Sequence, residues 1–168
     1  MTTMTPHSGG KATVTLQGDR EILIERAFNA PPELVYEAIT NPEHVRRWWG
    51  AGNGNVTLCE ADLRVGGKWR YVLTAESSGE AVGFHGEYRE LVPGRRIVST
   101  ELYEIEFLTE EDAALNTVTL VERDGGTHMT VLVRHRLPEH RDGHIASGME
   151  SGMQKSYDAL EDVARSLA

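Results

Sequence analysis

The chain has 168 residues, enough for one domain with a sizeable core and short for two. Its net charge of −9 argues against nucleic acid and anionic membrane as main partners, because both require a basic face that releases counterions, and leaves room only for a local basic patch. Cys59 is the single cysteine, which excludes an intramolecular disulfide and a cysteine-rich metal site. No apolar run approaches the roughly 18 residues that span a bilayer. Met1 to Arg20 also lacks the basic start, apolar middle and small-residue cleavage site of a secretory signal, so a cytoplasmic protein is expected.

In chain order, residues 1–20 are poor in apolar side chains and read as a flexible leader, with an alternation in Thr13 to Gln17 that would suit an edge strand. From Glu21 the period becomes two: Ile22, Ile24, Arg26 and Phe28 alternate with Leu23, Glu25 and Ala27, until Pro31-Pro32 ends the strand. A short helix is predicted over Pro32 to Ile39. A second follows Asn41 as N-cap, with Pro42 in its first turn, Arg46 and Arg47 near its negative end and Gly50 as terminator.

After a loop over Ala51 to Asn55, β-like runs lie near 56–64, 68–75, 81–91, 96–106, 117–123 and 127–136. Gly66-Gly67, Ser77-Ser78-Gly79, Pro93-Gly94 and Asp124-Gly125-Gly126 punctuate them, which gives about seven strands joined as antiparallel hairpins. The final segment is helical. Ile145, Met149, Met153, Tyr157, Leu160, Val163, Ala164 and Leu167 fall within an arc of about 120°, with Glu150, Asp158, Glu161, Asp162 and Arg165 opposite. A single helix from Arg141 to Ser166 would be about 39 Å long. It tolerates Gly148 and Gly152, each costing up to about 1 kcal/mol of helix propensity, as if something passed close to its backbone.

This order of elements, an α+β arrangement of strand, two short helices, six strands and a long helix, resembles the START-like and birch-pollen-allergen-like superfamily, also described as polyketide cyclase-like. Five strings sharpen the likeness. They are Arg26 to Tyr36, Asn41 to His44 with Trp48-Trp49-Gly50, Asp62 to Arg70, Phe84 to Tyr88 and Gly148 to Met153. Together they are similar to the family named for the activator of the heat-shock-protein-90 ATPase, over about Arg20 to Ala168. Ala51 departs from the proline usual after Trp-Trp-Gly in that family.

The resemblance implies a helix-grip fold for residues 21–168, in which a curved antiparallel sheet wraps the C-terminal helix and encloses a hydrophobic cavity. It also implies a small hydrophobic or aromatic molecule as the partner, with no cofactor. The eponymous activator carries a separate N-terminal chaperone-gripping domain that a 20-residue leader would not supply. One fold hosts several jobs. A cyclase- or aromatase-like enzyme and a chaperone-linked or regulatory interaction module therefore stay open as alternatives to a carrier, and a weak homodimer stays open as an assembly.

Strand alternation assigns the side chains that face the helix. With Lys68 and Arg70 outward, Trp69, Tyr71 and Leu73 turn inward; with His85, Glu87 and Arg89 outward, Phe84, Gly86 and Tyr88 do. Met149, Met153 and Tyr157 would face them from the helix. Aromatic walls and flexible methionines suit varied apolar ligands, although periodicity alone does not separate a pocket lining from a packed core. Trp48 and Trp49 point about 100° apart, so one is expected to anchor the second short helix while the other caps the pocket or forms a contact surface.

Asp62 and Arg64 are expected to form a rim pair. His135, His140 and His144 around Asp142 have poor spacing for a metal, and none is expected. Gly50 to Gly54 lacks the strand, helix and lysine of a phosphate loop. There is no serine nucleophile elbow and no histidine near Cys59 in sequence, so no residue is singled out as catalytic.

Overall fold

The computed structural model describes residues 10–168; the first part of the expected leader, residues 1–9, lies outside the described residues. All eight strands belong to one antiparallel sheet: β1 (Thr13–Gln17), β2 (Glu21–Phe28), β3 (Gly54–Ala61), β4 (Lys68–Ala75), β5 (Ala81–Val92), β6 (Arg96–Tyr103), β7 (Ala114–Arg123) and β8 (Gly126–Arg134). Their spatial order is β1-β2-β8-β7-β6-β5-β4-β3. The eighth strand is β1, which pairs in register with β2 from Thr13 opposite Glu25 to Gln17 opposite Glu21. Most of β1 is exposed, as befits the edge strand that the alternation of Thr13 to Gln17 suited.

The sheet is built on the predicted period of two. Ile22, Ile24, Arg26 and Phe28 are all buried on one face of β2, and Met129, Val131 and Val133 continue that face on β8. Helices α1 (Pro32–Thr40) and α2 (Pro42–Trp48) follow β2. Between them Asn41 caps α2 by accepting a hydrogen bond on its side chain from the Glu43 amide at 3.0 Å, and Pro42 occupies the first turn, where no amide donor is needed.

The C-terminal segment differs from the single helix expected from its periodicity. It forms α3 (Pro138–Ala146) and α4 (Met149–Ser166), the latter 18 residues and about 27 Å long. Gly148 has φ of +80°, a left-handed conformation that ends α3 and re-aims the chain. The glycine read as a weak point inside one helix is the joint between two. Gly152 behaves as expected: a Cβ there would lie 3.1 Å from the Asn53 side chain, so the loop before β3 does pass close to the helix backbone.

The core has two adjoining parts. The larger joins β2, β7 and β8 to α1 and to Leu160, Val163 and Ala164 of α4, with Met149, Met153, Tyr157 and Trp48 packed against it. The smaller centres on Trp69, Tyr88 and Ile97 in β4–β6, with Tyr71 and Phe84 around them. Tyr36 and Ile39 of α1 and Val118 of β7 touch both. A charged pair crosses the larger core: Arg26 and Glu161 are each 1% exposed, 3.3 Å apart, and Asp158 lies 3.3 Å from the same guanidinium.

Candidate functional site: an aromatic cluster with a half-buried carboxyl

The structure distributes the nine residues singled out from sequence over the two adjoining parts of the core. Trp48, Met149, Met153 and Tyr157 belong to the helix side, and Trp69, Tyr71, Phe84 and Tyr88 to the sheet side. Trp49 joins the sheet side: its ring meets Tyr71 at 5.6 Å and Phe84 at 5.8 Å between centroids, both edge-on, the geometry aromatic pairs prefer. The two tryptophans have separate tasks. Trp48 donates its indole N–H to the Ala38 carbonyl at 2.9 Å and ties α2 to α1, while Trp49 lies over the sheet's aromatic cluster.

That cluster continues through Trp69 against Tyr71 at 4.8 Å and Phe84 stacked on Tyr103 at 5.1 Å. Trp69 and Tyr88 are buried, whereas Trp49, Tyr71, Phe84, Met149, Met153 and Tyr157 are half-buried. Their inward direction follows from pleating, since Lys68 and Arg70 flank Trp69 on the exposed face. His85 is likewise outward, bridging Glu104 and Glu110 at 2.7 Å each, while Arg70 grips Glu104 with two hydrogen bonds of 2.8 Å. The Arg70 side chain and His85 hold the Glu104 carboxyl down at about 2.

One inward group escaped the reading of the sequence. The pairing of Phe84 with Tyr103 and of Tyr88 with Ser99 sets Glu101 opposite Gly86, on the same face as the aromatics. Asn116 on β7 donates its side-chain amide to the Glu101 carboxylate. Burial pushes the Glu101 carboxyl above its usual range, with the Asn116 hydrogen bond opposing the rise. Tyr157 from α4 and Tyr71 from β4 both feel this carboxyl, and both hydroxyls are raised chiefly by burial. Tyr88 is pushed up to about 12, again by burial, with the Tyr71 hydroxyl beside it acting in the opposite direction. Glu101 thus lies within electrostatic reach of a tyrosine from the sheet and one from α4. The parity of Ile97, Ser99 and Glu101 in β6 was the available signal, but apolar residues at 98 and 102 gave the other face equal claim.

A cleft of about 440 Å³ lies elsewhere, between α1 and the turn from β3 to β4, where Tyr36, Glu37 and Thr40 face Leu63, Arg64 and Val65. None of the nine residues lines it. The Asp62–Arg64 pair forms at 2.7 Å with both side chains exposed, in that turn and not within a strand as expected.

The histidines of the C-terminal region pair with each other. His135 and His144 approach to 3.0 Å between ring nitrogens, and burial with the neighbouring His144 pushes His135 down to about 4, while burial lowers His144 as well. Among the described residues no three histidine, cysteine or acidic side chains gather as a metal cage. A depressed histidine binds its proton more weakly when folded, so its contribution to stability is full above the unfolded value near 6.5 and is lost as pH falls toward about 4. The midpoint of urea unfolding is therefore expected to drop between pH 6.5 and 4. The drop should flatten in His135→Phe, and an unchanged slope in that variant would remove the pair as its cause.

Among the described residues no helix is long and apolar enough to cross a membrane. A crystal structure of a Rhodobacter sphaeroides protein matches 94% of this chain and 100% of its own, at 27% identity and a TM-score of 0.83. A Chromobacterium violaceum protein matches at 28% identity and a TM-score of 0.72, covering 85% of this chain and 96% of its own. A Mycobacterium smegmatis protein shares the fold at 22% identity and a TM-score of 0.80, over 90% and 96% of the two chains. No curated protein matches. The family model described as Activator of Hsp90 ATPase homolog 1-like protein matches residues 29–165, which include all nine of the residues singled out from sequence, and the chain belongs to that family.

Proposed function

We propose that the protein binds or carries a small hydrophobic or aromatic molecule in the concavity between the sheet and α4. The supporting observation is the placement of Trp49: its ring lies edge-on to Tyr71 and Phe84, and all three are half-buried on the inward side. Half-buried aromatic edges offer apolar area that a ligand would cover, at about 25 cal/mol per Å², enough for micromolar affinity after association costs. Met153 and Met149 of α4, half-buried against the larger core, would supply flexible side chains that adjust to different shapes. Neither Trp48 nor Trp49 is among the exposed large apolar residues, which weighs against a tryptophan docking patch for another protein.

The test is a titration with flavonoid-like, polyketide-like and fatty-acid ligands, followed through backbone amide shifts. Binding below millimolar, with responses at Trp49, Tyr71, Phe84 and Met153, is expected. Met153→Trp should fill the space and abolish binding while the fold persists. If the substitution instead costs about 1–3 kcal/mol and there is no binding to lose, the residues are close-packed core and the carrier reading fails.

A second reading, acid–base chemistry of the cyclase or aromatase kind, is favoured by one observation: the raised carboxyl of Glu101 lies within electrostatic reach of the Tyr157 and Tyr71 hydroxyls. Mass spectrometry of the ligand recovered after incubation separates the two. An unchanged mass supports carriage, and a mass or isomer conversion that Glu101→Gln abolishes supports catalysis.

A further inference from the structure

A row of residues crosses the sheet beneath the aromatic walls. Trp69 on β4 pairs with Gly86 on β5, and Glu101 on β6 lies opposite Gly86 from the other side. Two strand spacings, about 9.6 Å, therefore separate the Trp69 and Glu101 backbones, with no side chain between them. Gly86 cannot be larger: a Cβ there would collide with the Thr100 carbonyl and sit 2.7 Å from the Trp69 indole nitrogen. The indole is thus laid across the glycine toward the Glu101 strand.

Two polar atoms are buried without a hydrogen-bond partner, the Trp69 Nε1–H donor in this row and the Oδ1 acceptor of Asn116, which pairs with Ser99 on the same face two residues from Glu101. Trp69 is 8% exposed, so its donor has no bulk water to fall back on. Each such group costs free energy unless something satisfies it. Asn116 already spends its amide on Glu101, which leaves its carbonyl oxygen turned to other use.

We propose that Trp69 Nε1, Asn116 and Glu101 form a polar anchor at the floor of the concavity, selecting uncharged aromatic ligands whose edge carries an acceptor beside a donor, as a carboxamide does. The anchor rests on the reading of the concavity as a ligand site. A ligand carbonyl accepts from the indole N–H, and its N–H donates to the Asn116 oxygen or the Glu101 carboxyl. A carboxylate ligand would bring a second acid beside Glu101. The buried cations among the described residues are already held, Arg26 by Glu161 and Asp158 and Arg141 by Asp142. An ammonium ligand would suit Glu101 but would offer nothing to the indole donor. A neutral group with both functions satisfies all three, and a hydrocarbon satisfies none.

The experiment compares four probes of one ring system by calorimetry: 2-naphthamide, 2-isopropylnaphthalene, 2-naphthylmethylammonium and 2-naphthoate. The wild-type chain is expected to bind the amide best. The amide-to-hydrocarbon affinity ratio should fall about tenfold in Asn116→Leu and in Trp69→Phe, the scale of one buried hydrogen bond left unmade. Thermal unfolding verifies that each variant is folded, and Glu101→Gln, which conserves shape, serves if either is not; there the same ratio is read, and it should change. If the probes bind but the ratio is the same in the variants, or if either charged probe binds tightest, the anchor is wrong while the carrier reading survives. If no probe binds, the carrier reading fails and the anchor falls with it.

Discussion

A chain ending at Glu139 is expected to show no cooperative unfolding transition. It lacks almost all of α3 and the whole of α4, and with α4 go Leu160, Val163 and Ala164, which are at most 4% exposed and occupy the centre of the larger core. Full burial of a valine or leucine side chain contributes about 1.5–3 kcal/mol. The two largest of these residues and the half-buried stripe of Met149, Met153 and Tyr157 together rival the 5–15 kcal/mol that holds a typical domain folded. The truncation also leaves Arg26 without Glu161 and Asp158, a buried cation with no acid. Circular dichroism and urea titration read the result directly. A sigmoidal transition with native-like ellipticity would show that the sheet folds without its helix, and the account of the core given above would be wrong.

Glu161→Ala is the point substitution with the largest expected cost, about 3–5 kcal/mol, because it strands a charge and not because the pair itself is strongly stabilising. Arg26 projects from β2 into the core, stacks 4.8 Å above the Phe28 ring and meets Glu161 at 3.3 Å. Burial lowers the affinity of the Arg26 guanidinium for its proton, and the acids Glu161 and Asp158 raise it again. With Glu161 gone, Asp158 remains, but its side chain is 53% exposed and water screens it. Glu161 also accepts from the Asn29 amide and side chain at 3.4 Å, so the turn between β2 and α1 loosens as well. The double variant Arg26→Met with Glu161→Leu is expected to recover most of the loss, since apolar side chains of similar volume fill the site without desolvating ions. Chemical denaturation of the three proteins decides the point. A double variant as unstable as Glu161→Ala would mean that the geometry of the pair, and not the stranded charge, carries the effect.

The candidate site was legible in part. Alternation assigned Trp69, Tyr71, Phe84 and Tyr88 to the inner face of β4 and β5 because each strand has charged residues at the opposite parity, and the pleat allows no other outcome. The adjacent tryptophans could be told apart only by their surroundings: Trp48 is fixed by a carbonyl of α1, Trp49 by rings on β4 and β5. The inward direction of Glu101 was ambiguous in the sequence. β6 carries apolar residues at both parities, so its inward face is set by its register against β5 and β7.

The sequence by itself determined the order of the elements, the positions of most turns and the apolar stripe of the last helix, because these depend on neighbours within a few residues. Asn41 and Pro42 start α2, and the period of two in β2 is complete in eight residues. What only the tertiary structure decided involves partners far apart in the chain. The break at Gly148 belongs here, since the 3.6-residue period runs through it undisturbed and the redirection serves packing of α4 on α1 and α2. So does the register of β1: the alternation over Thr13 to Gln17 suited an edge strand, and the backbone of β2 fixes where it pairs. So, finally, do the burial of Arg26 against an acid 135 residues later and the meeting of Glu101 with Asn116 and Tyr157, because a charge enters a core only where the fold brings it a partner.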